Sequence, residues 1–132
     1  MGFERGQKPW EPEPGAELGE VWGFYDGPRQ GTCRLGGEEF AFHCQEGPGE
    51  RQLWTYRPIA EADVRALDLP REEWGEAWRA QYRAWLARTP ATLWALSVDD
   101  QLVEWGAFEP PERDDAPGWA AGFLERLQSR VT

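Results

Sequence analysis

The sequence predicts an α+β domain. Its N-terminal half reads as an antiparallel β-meander, with an SH3-like curl as one form it can take. A Trp-rich helix, a second hairpin and a C-terminal helix cover that meander. Three observations lead there. Residues 19–59 hold four short runs rich in aromatic and β-branched residues, separated by turn sets. Residues 71–88 instead repeat apolar side chains at three- and four-residue steps. Strands first and helices later, in one chain of 132 residues, is the α+β order and length of a single domain.

Residues 1–18 place Pro9, Pro12 and Pro14 around Trp10, with Glu11, Glu13 and Glu17 between them. Such a stretch favours extended backbone without a helix or strand period. It reads as a loose tail or as an extended arm with Trp10 tucked into the domain of residues 19–132. Gly19–Tyr25 is the first strand, closed by Asp26-Gly27-Pro28. Thr32–Leu35 is a short second strand, and Gly36-Gly37 suits a two-residue hairpin loop with positive φ at both positions. Glu39–Cys44 alternates, with Phe40, Phe42 and Cys44 on one face, and Leu53–Arg57 is the fourth strand.

Ala60–Leu67 reads as a short helix, broken by Asp68-Leu69-Pro70. The main helix is expected over Arg71–Arg88, with Trp74, Ala77, Trp78, Tyr82, Trp85 and Leu86 on its stripe and Gln81 on the seam. Its acids lie early and its arginines late, which complements the helix dipole. Leu93–Val98, Asp99-Asp100 and Gln101–Trp105 form the second hairpin, although a helix continuing through Ala91–Leu96 fits the period there as well. After an acidic loop, Asp115 caps a final helix whose stripe is Trp119, Ala120, Phe123, Leu124, Leu127 and Val131.

Charge narrows the partners. With 24 acids against 14 bases the net charge is −10, which disfavours nucleic acid and anionic membrane surfaces, since both need clustered Lys and Arg. No apolar run approaches the roughly 18 residues of a membrane-spanning helix. The opening MGFERGQKPWEPEPG lacks the apolar stretch of a secretory signal, so the expected setting is cytoplasmic. Cys33 and Cys44 are the only cysteines. If Gly36-Gly37 is the hairpin turn, they sit about 13 Å apart at strand rise, too far for a disulfide. A register slipped by two residues would bring them together. The expectation is two reduced, half-buried thiols.

The chemistry-bearing residues are few. His43 is the single histidine, and alternation turns it away from Cys44, so no metal ligand set is assigned. A Cys33–His43 nucleophile lacks a cationic neighbour or helix N-terminus to lower the thiol pKa. The acid groups Glu38-Glu39, Glu72-Glu73-Glu76, Asp99-Asp100 and Asp114-Asp115 sit in turns or at a helix start, where water solvates them. No catalytic residue and no cofactor follow from these patterns.

Nine Trp residues are the strongest departure from ordinary usage. Stripe spacing assigns most of them to the core. Trp74, Trp78 and Trp85 with Tyr82 nevertheless exceed what one helix face hides, so Trp74 and Trp78 are candidate partner-binding residues. In the loop Phe24–Gly31, Tyr25, Asp26 and Arg29 either stabilise their own turn or present donors and acceptors to a ligand.

The segment Gly19-Glu-Val-Trp-Gly-Phe-Tyr-Asp-Gly-Pro-Arg29, followed by Trp54, Tyr56 and Pro58 and then Trp74, Trp78 and Arg79, resembles a family of small uncharacterised bacterial proteins with a GFYDGPR-type hairpin. The resemblance spans about half the chain and stops before Ala91. It implies a bacterial, cytosolic setting and no particular activity.

The expected role is a noncatalytic protein-interaction module whose acidic surface meets a basic partner, an inhibitor or immunity-like protein facing a basic nuclease being one version. The alternative is a small-molecule binder using exposed Trp and Tyr with Asp26 and Arg29. An enzyme working through its carboxylates comes third.

Overall fold

The computed structural model describes residues 3–24, 26–45, 51–108 and 125. Its strands are β1 (Glu17–Phe24), β2 (Pro28–Leu35), β3 (Glu38–Gln45), β4 (Arg51–Pro58), β5 (Leu93–Val98) and β6 (Gln101–Ala107). Helices α1 (Glu61–Leu67) and α2 (Glu76–Arg88) lie between β4 and β5. Each strand pairs antiparallel with its neighbour in sequence, giving one sheet in the order β1-β2-β3-β4-β5-β6. The expected meander and second hairpin are therefore continuous, because β4 pairs with β5 from Arg51↔Val98 to Tyr56↔Leu93. The helix alternative over Ala91–Leu96 is not taken: the strand β5 begins at Leu93. Apart from Glu125, the expected C-terminal helix and the acidic loop before it lie outside the described residues. Among those described, no helix is long and apolar enough to cross a membrane.

Turn chemistry fixes the register. Gly36 and Gly37 adopt φ 60° and 80°, the left-handed pair that a two-residue hairpin loop needs. Cys33 then faces Phe40, and Cys44 faces Trp54, so the unslipped register holds and neither cysteine is in a disulfide. Cys33 is fully buried rather than half-buried, because it shares a packed face with Phe40 and Phe42.

The sheet has two different faces. On one, Cys33, Phe40, Phe42, Trp54, Tyr56 and Leu102 pack with Phe3 from the N-terminal arm. The arm is tied down: the Tyr56 hydroxyl donates to the Pro9 carbonyl at 2.6 Å, and Pro9 and Pro12 are fully buried. Gly6 N–H reaches the Leu102 carbonyl at 2.9 Å, and Leu102 N–H reaches the Gln7 carbonyl at 2.8 Å. Trp10 tucks in beside Trp54, with ring centroids 6.0 Å apart.

On the other face, Trp22 and Ala41 join one buried cluster with Leu67, Trp78, Tyr82 and Trp85. The expected long helix starts late, at Glu76 instead of Arg71. Gly75 is extended at φ −114° and ψ −157°, a backbone choice that costs glycine little, and Arg71–Glu73 forms only a single 3-10 turn. At the far end, Arg57 Nε donates to the Thr89 carbonyl at 2.9 Å and anchors the end of α2 to β4.

Candidate functional site

Trp74, just before α2, and the aromatic residues of α2 form a ladder. Ring centroids are 4.6 Å apart for Trp74–Trp78, 5.3 Å for Trp78–Tyr82 and 6.0 Å for Tyr82–Trp85, all stacked. Within α2, spacing of four and three residues puts Trp78, Tyr82 and Trp85 on one side of the helix, and Trp74 stacks on Trp78 from just outside it. The ladder is mostly internal: Trp78 is 8% exposed, Tyr82 9% and Trp85 2%. Trp22 closes it edge-on against Tyr82 at 6.1 Å. Burial is the main influence on Tyr82 and raises its pKa, against smaller downward pulls from Gln30 and Arg57.

Only Trp74, at the open end of the ladder, is half-exposed. Its indole N–H donates to the Leu69 carbonyl at 2.8 Å, while the Trp78 indole donates to the Leu67 carbonyl at the same distance. These two bonds fix the segment between the helices and leave the Leu69 side chain facing out, 38% exposed. Across from it runs β1, which among the described residues is an edge strand paired only with β2. Its Val21 is 40% and its Phe24 65% exposed. Together Val21, Phe24, Leu69 and Trp74 line an open groove of about 220 Å³.

Two carboxyl groups, Glu20 and Asp68, sit in the same groove. The Glu20 carboxyl is raised above its ordinary pKa, first by partial burial and then by the charge and hydrogen bond of Asp68, with Glu39 adding to it. Two acids within hydrogen-bond reach repel when both ionise. A cation placed between them relieves that repulsion. Beneath, the buried Trp22 indole N–H has no acceptor among the described residues. An apolar rim, paired carboxyls and an unpaired strand edge suit a basic, partly apolar segment of another chain.

The other candidate residues are placed elsewhere. Tyr25 lies outside the described residues. Asp26 is exposed at φ 55°, and its carbonyl accepts from Arg29 Nη2 at 3.0 Å. The Arg29 guanidinium meets both carboxylate oxygens of Asp100, at 2.5 and 3.3 Å, and lies over the Trp54 ring, 5.8 Å from its centroid. Hydrogen bonding to Asp100 raises the Arg29 pKa, against the opposing pull of burial. Arg29 thus works on the arm's face of the sheet, while Trp78, with Trp74 packed against it, belongs to the cluster of Trp22 and Ala41 on the other face. The structure brings Trp74 and Trp78 together and separates both from Arg29.

Asp100 also departs from the expectation of water-solvated acids. It is half-buried in the β5–β6 turn, where its N–H donates to Gln52 Oε1 at 3.1 Å. Glu20, Val21, Phe24, Asp68 and Leu69 were not among the residues singled out by sequence. The signal for Asp68 and Leu69 was the break before Pro70, read only as a helix stop. Among the described residues, no three His, Cys, Asp or Glu side chains gather as a metal site. No known protein family, curated protein or solved structure matches the chain.

Proposed function

We propose that the protein is a noncatalytic interaction module that docks a basic partner protein in the groove between β1 and the α1–α2 connection. An inhibitor or immunity-like role against a basic enzyme is one concrete form of this reading. One observation carries it: the three large apolar side chains left most exposed among the described residues, Val21, Phe24 and Leu69, all line the groove that holds Glu20 and Asp68. Apolar residues rimmed by charge mark interaction surfaces more often than isolated exposed side chains do. A net charge of −10 adds long-range steering of a basic partner.

Two features of the fold belong to the same proposal. The aromatic ladder of α2 covers one face of the sheet and so holds the groove's inner wall rigid. The Arg29–Asp100 pair, linking β2 to the β5–β6 turn past β3 and β4, supports an SH3-like inward curl that leaves β1 standing as a free edge.

The test compares capture of proteins from lysate on the immobilised chain and on its Glu20→Lys and Phe24→Ser variants. A basic protein held at low salt by the parent chain, released as salt rises and not held by either variant, is the expected result. Equal capture by the variants, or no salt-sensitive capture at all, refutes the proposal.

A further inference from the structure

A second cleft of about 470 Å³ opens on the β4–β5–β6 part of the sheet, apart from the β1 groove. Leu96, Val98 and Val103 supply its apolar lining, and Arg5 and Arg51 supply its charge. The register explains the opening. Leu96 faces Glu104 and Ser97 faces Leu102, so Val103 is the extra residue of a β-bulge. A bulge bends its strand and re-aims its side chains, and such bulges cluster beside binding sites. The arm is fixed to β6 by its two hydrogen bonds with Leu102, and this carries Arg5 to the cleft.

Neither Arg5 nor Arg51 forms an ion pair or side-chain hydrogen bond with any described residue. That is informative in a chain with acids in such excess, where Arg29 and Arg88 each find an aspartate. Two guanidinium groups on one cleft supply more donors than a single carboxylate has lone pairs to fill, and their fork geometry matches carboxylate oxygens. Glu104, also on the lining, sets the limit on charge, because it disfavours a ligand with several negative groups. The volume falls within the range of small-ligand sites.

From this we infer that the cleft binds a small organic monocarboxylate with an apolar body, the acid held by Arg5 and Arg51 and the body laid on Leu96, Val98 and Val103. A free alkyl carboxylic acid and the C-terminal carboxylate of an apolar peptide share that chemistry. The inference is independent of the β1 groove.

The test is calorimetric titration of the full chain at low salt with three probes: octanoate, acetyl-Leu-Leu with a free C-terminus, and octan-1-ol. Saturable one-to-one binding of octanoate or the dipeptide is expected, with octan-1-ol at least about tenfold weaker, a difference of about 1.4 kcal/mol. The tighter of the two acids identifies the source. Arg51→Gln and Arg5→Gln are each expected to weaken the acid several-fold, with the thermal unfolding midpoint unchanged. Equal binding of acid and alcohol overturns the inference, as does the absence of saturable binding by both acids. The alcohol comparison needs no variant and stands even where one fails to fold.

Discussion

The two-residue turn between β5 and β6 sets backbone strain against an ion pair at adjacent positions. Val98 pairs with Gln101, and between them Asp99 and Asp100 take φ 51° and 63°. Left-handed backbone costs an L-residue about 1 to 2 kcal/mol, somewhat less for Asp, and glycine avoids it. Glycine gives back about 0.4 to 1 kcal/mol through the freedom it adds to the unfolded chain. Asp99 is exposed and makes no side-chain bond to a described residue, so Asp99→Gly is expected to stabilise by about 0.5 kcal/mol. Asp100→Gly gains the same relief and loses the two hydrogen bonds from Arg29. Charge-assisted bonds contribute about 1.5 to 3 kcal/mol, and Arg29 is left half-buried without its partner. The expected net effect is a loss of about 1 to 2 kcal/mol.

Urea unfolding of both variants at neutral pH measures the two signs. If Asp99→Gly destabilises, or if both variants shift together, the division between strain and pairing is wrong. The pH dependence adds a second check. Desolvation pushes the Asp100 carboxyl up, but hydrogen bonds from Arg29 and Gln52, with the charges of Arg29 and Lys8, outweigh it and hold the group below its ordinary range. A depressed carboxyl contributes its stability above the unfolded value of about 3.9 and loses it as pH falls through the lower folded value. The gap between the parent chain and Asp100→Asn should therefore persist at pH 5 and close only below about pH 4.

Three further outcomes follow from the packing. Burial, with Glu39's charge adding to it, pushes the Cys33 thiol up to about 12, so a thiol reagent at mildly alkaline pH should label Cys44 in the native protein and Cys33 only on unfolding. Mass spectrometry of the labelled peptides distinguishes them. Tyr56→Phe strands the buried Pro9 carbonyl and should cost about 1 to 3 kcal/mol in urea unfolding. It should also speed proteolysis within residues 3–12. Gly31→Ala drives a methyl into the Glu20 carbonyl, which is backbone and cannot swing aside. It should cost about 1 to 3 kcal/mol and weaken β1–β2 protection in hydrogen exchange.

Local signals made the strands legible, and non-local ones hid their assembly. Gly36-Gly37 announces its hairpin because few other residues tolerate two successive positive φ values. Asp99-Asp100 marks a turn equally well. That β5 would extend the meander at β4, with two helices in the connection, has no local signature, since Tyr56↔Leu93 and its neighbours are fixed only by the finished sheet. The late start of α2 is hidden in the sequence for a related reason. Trp74 stands four residues before Trp78 and fits the stripe, yet it stacks on Trp78 from outside the helix, held by the Leu69 carbonyl. Spacing alone does not separate a helical neighbour from a stacked one. The arm posed the same difficulty: its two possible fates differ only through Tyr56, whose buried hydroxyl requires an acceptor and finds it 47 residues away at Pro9.

The candidate sites divide along the same line. Asp26 and Arg29, close in sequence and polar, read equally as a self-stabilised turn or as a ligand set, and the sequence does not announce that Arg29 pairs with Asp100, 71 residues on. Trp74 and Trp78 looked like surplus aromatics because one helix face has limited room. The surplus is taken up by stacking ring on ring and by Trp22 from β1, so the remainder emerges at the end of the ladder and not along its length. Among the described residues, the apolar surface that remains exposed comes mainly from residues with no unusual spacing, Val21, Phe24 and Leu69. What distinguishes them is the location of their neighbours: a strand edge unpaired among the described residues on one side, a connection pinned by two indoles on the other, and two acids between. Rigid walls lower the ordering cost of docking. A mutation that loosens the walls, such as Trp78→Leu, should therefore weaken partner binding without touching the groove's own lining.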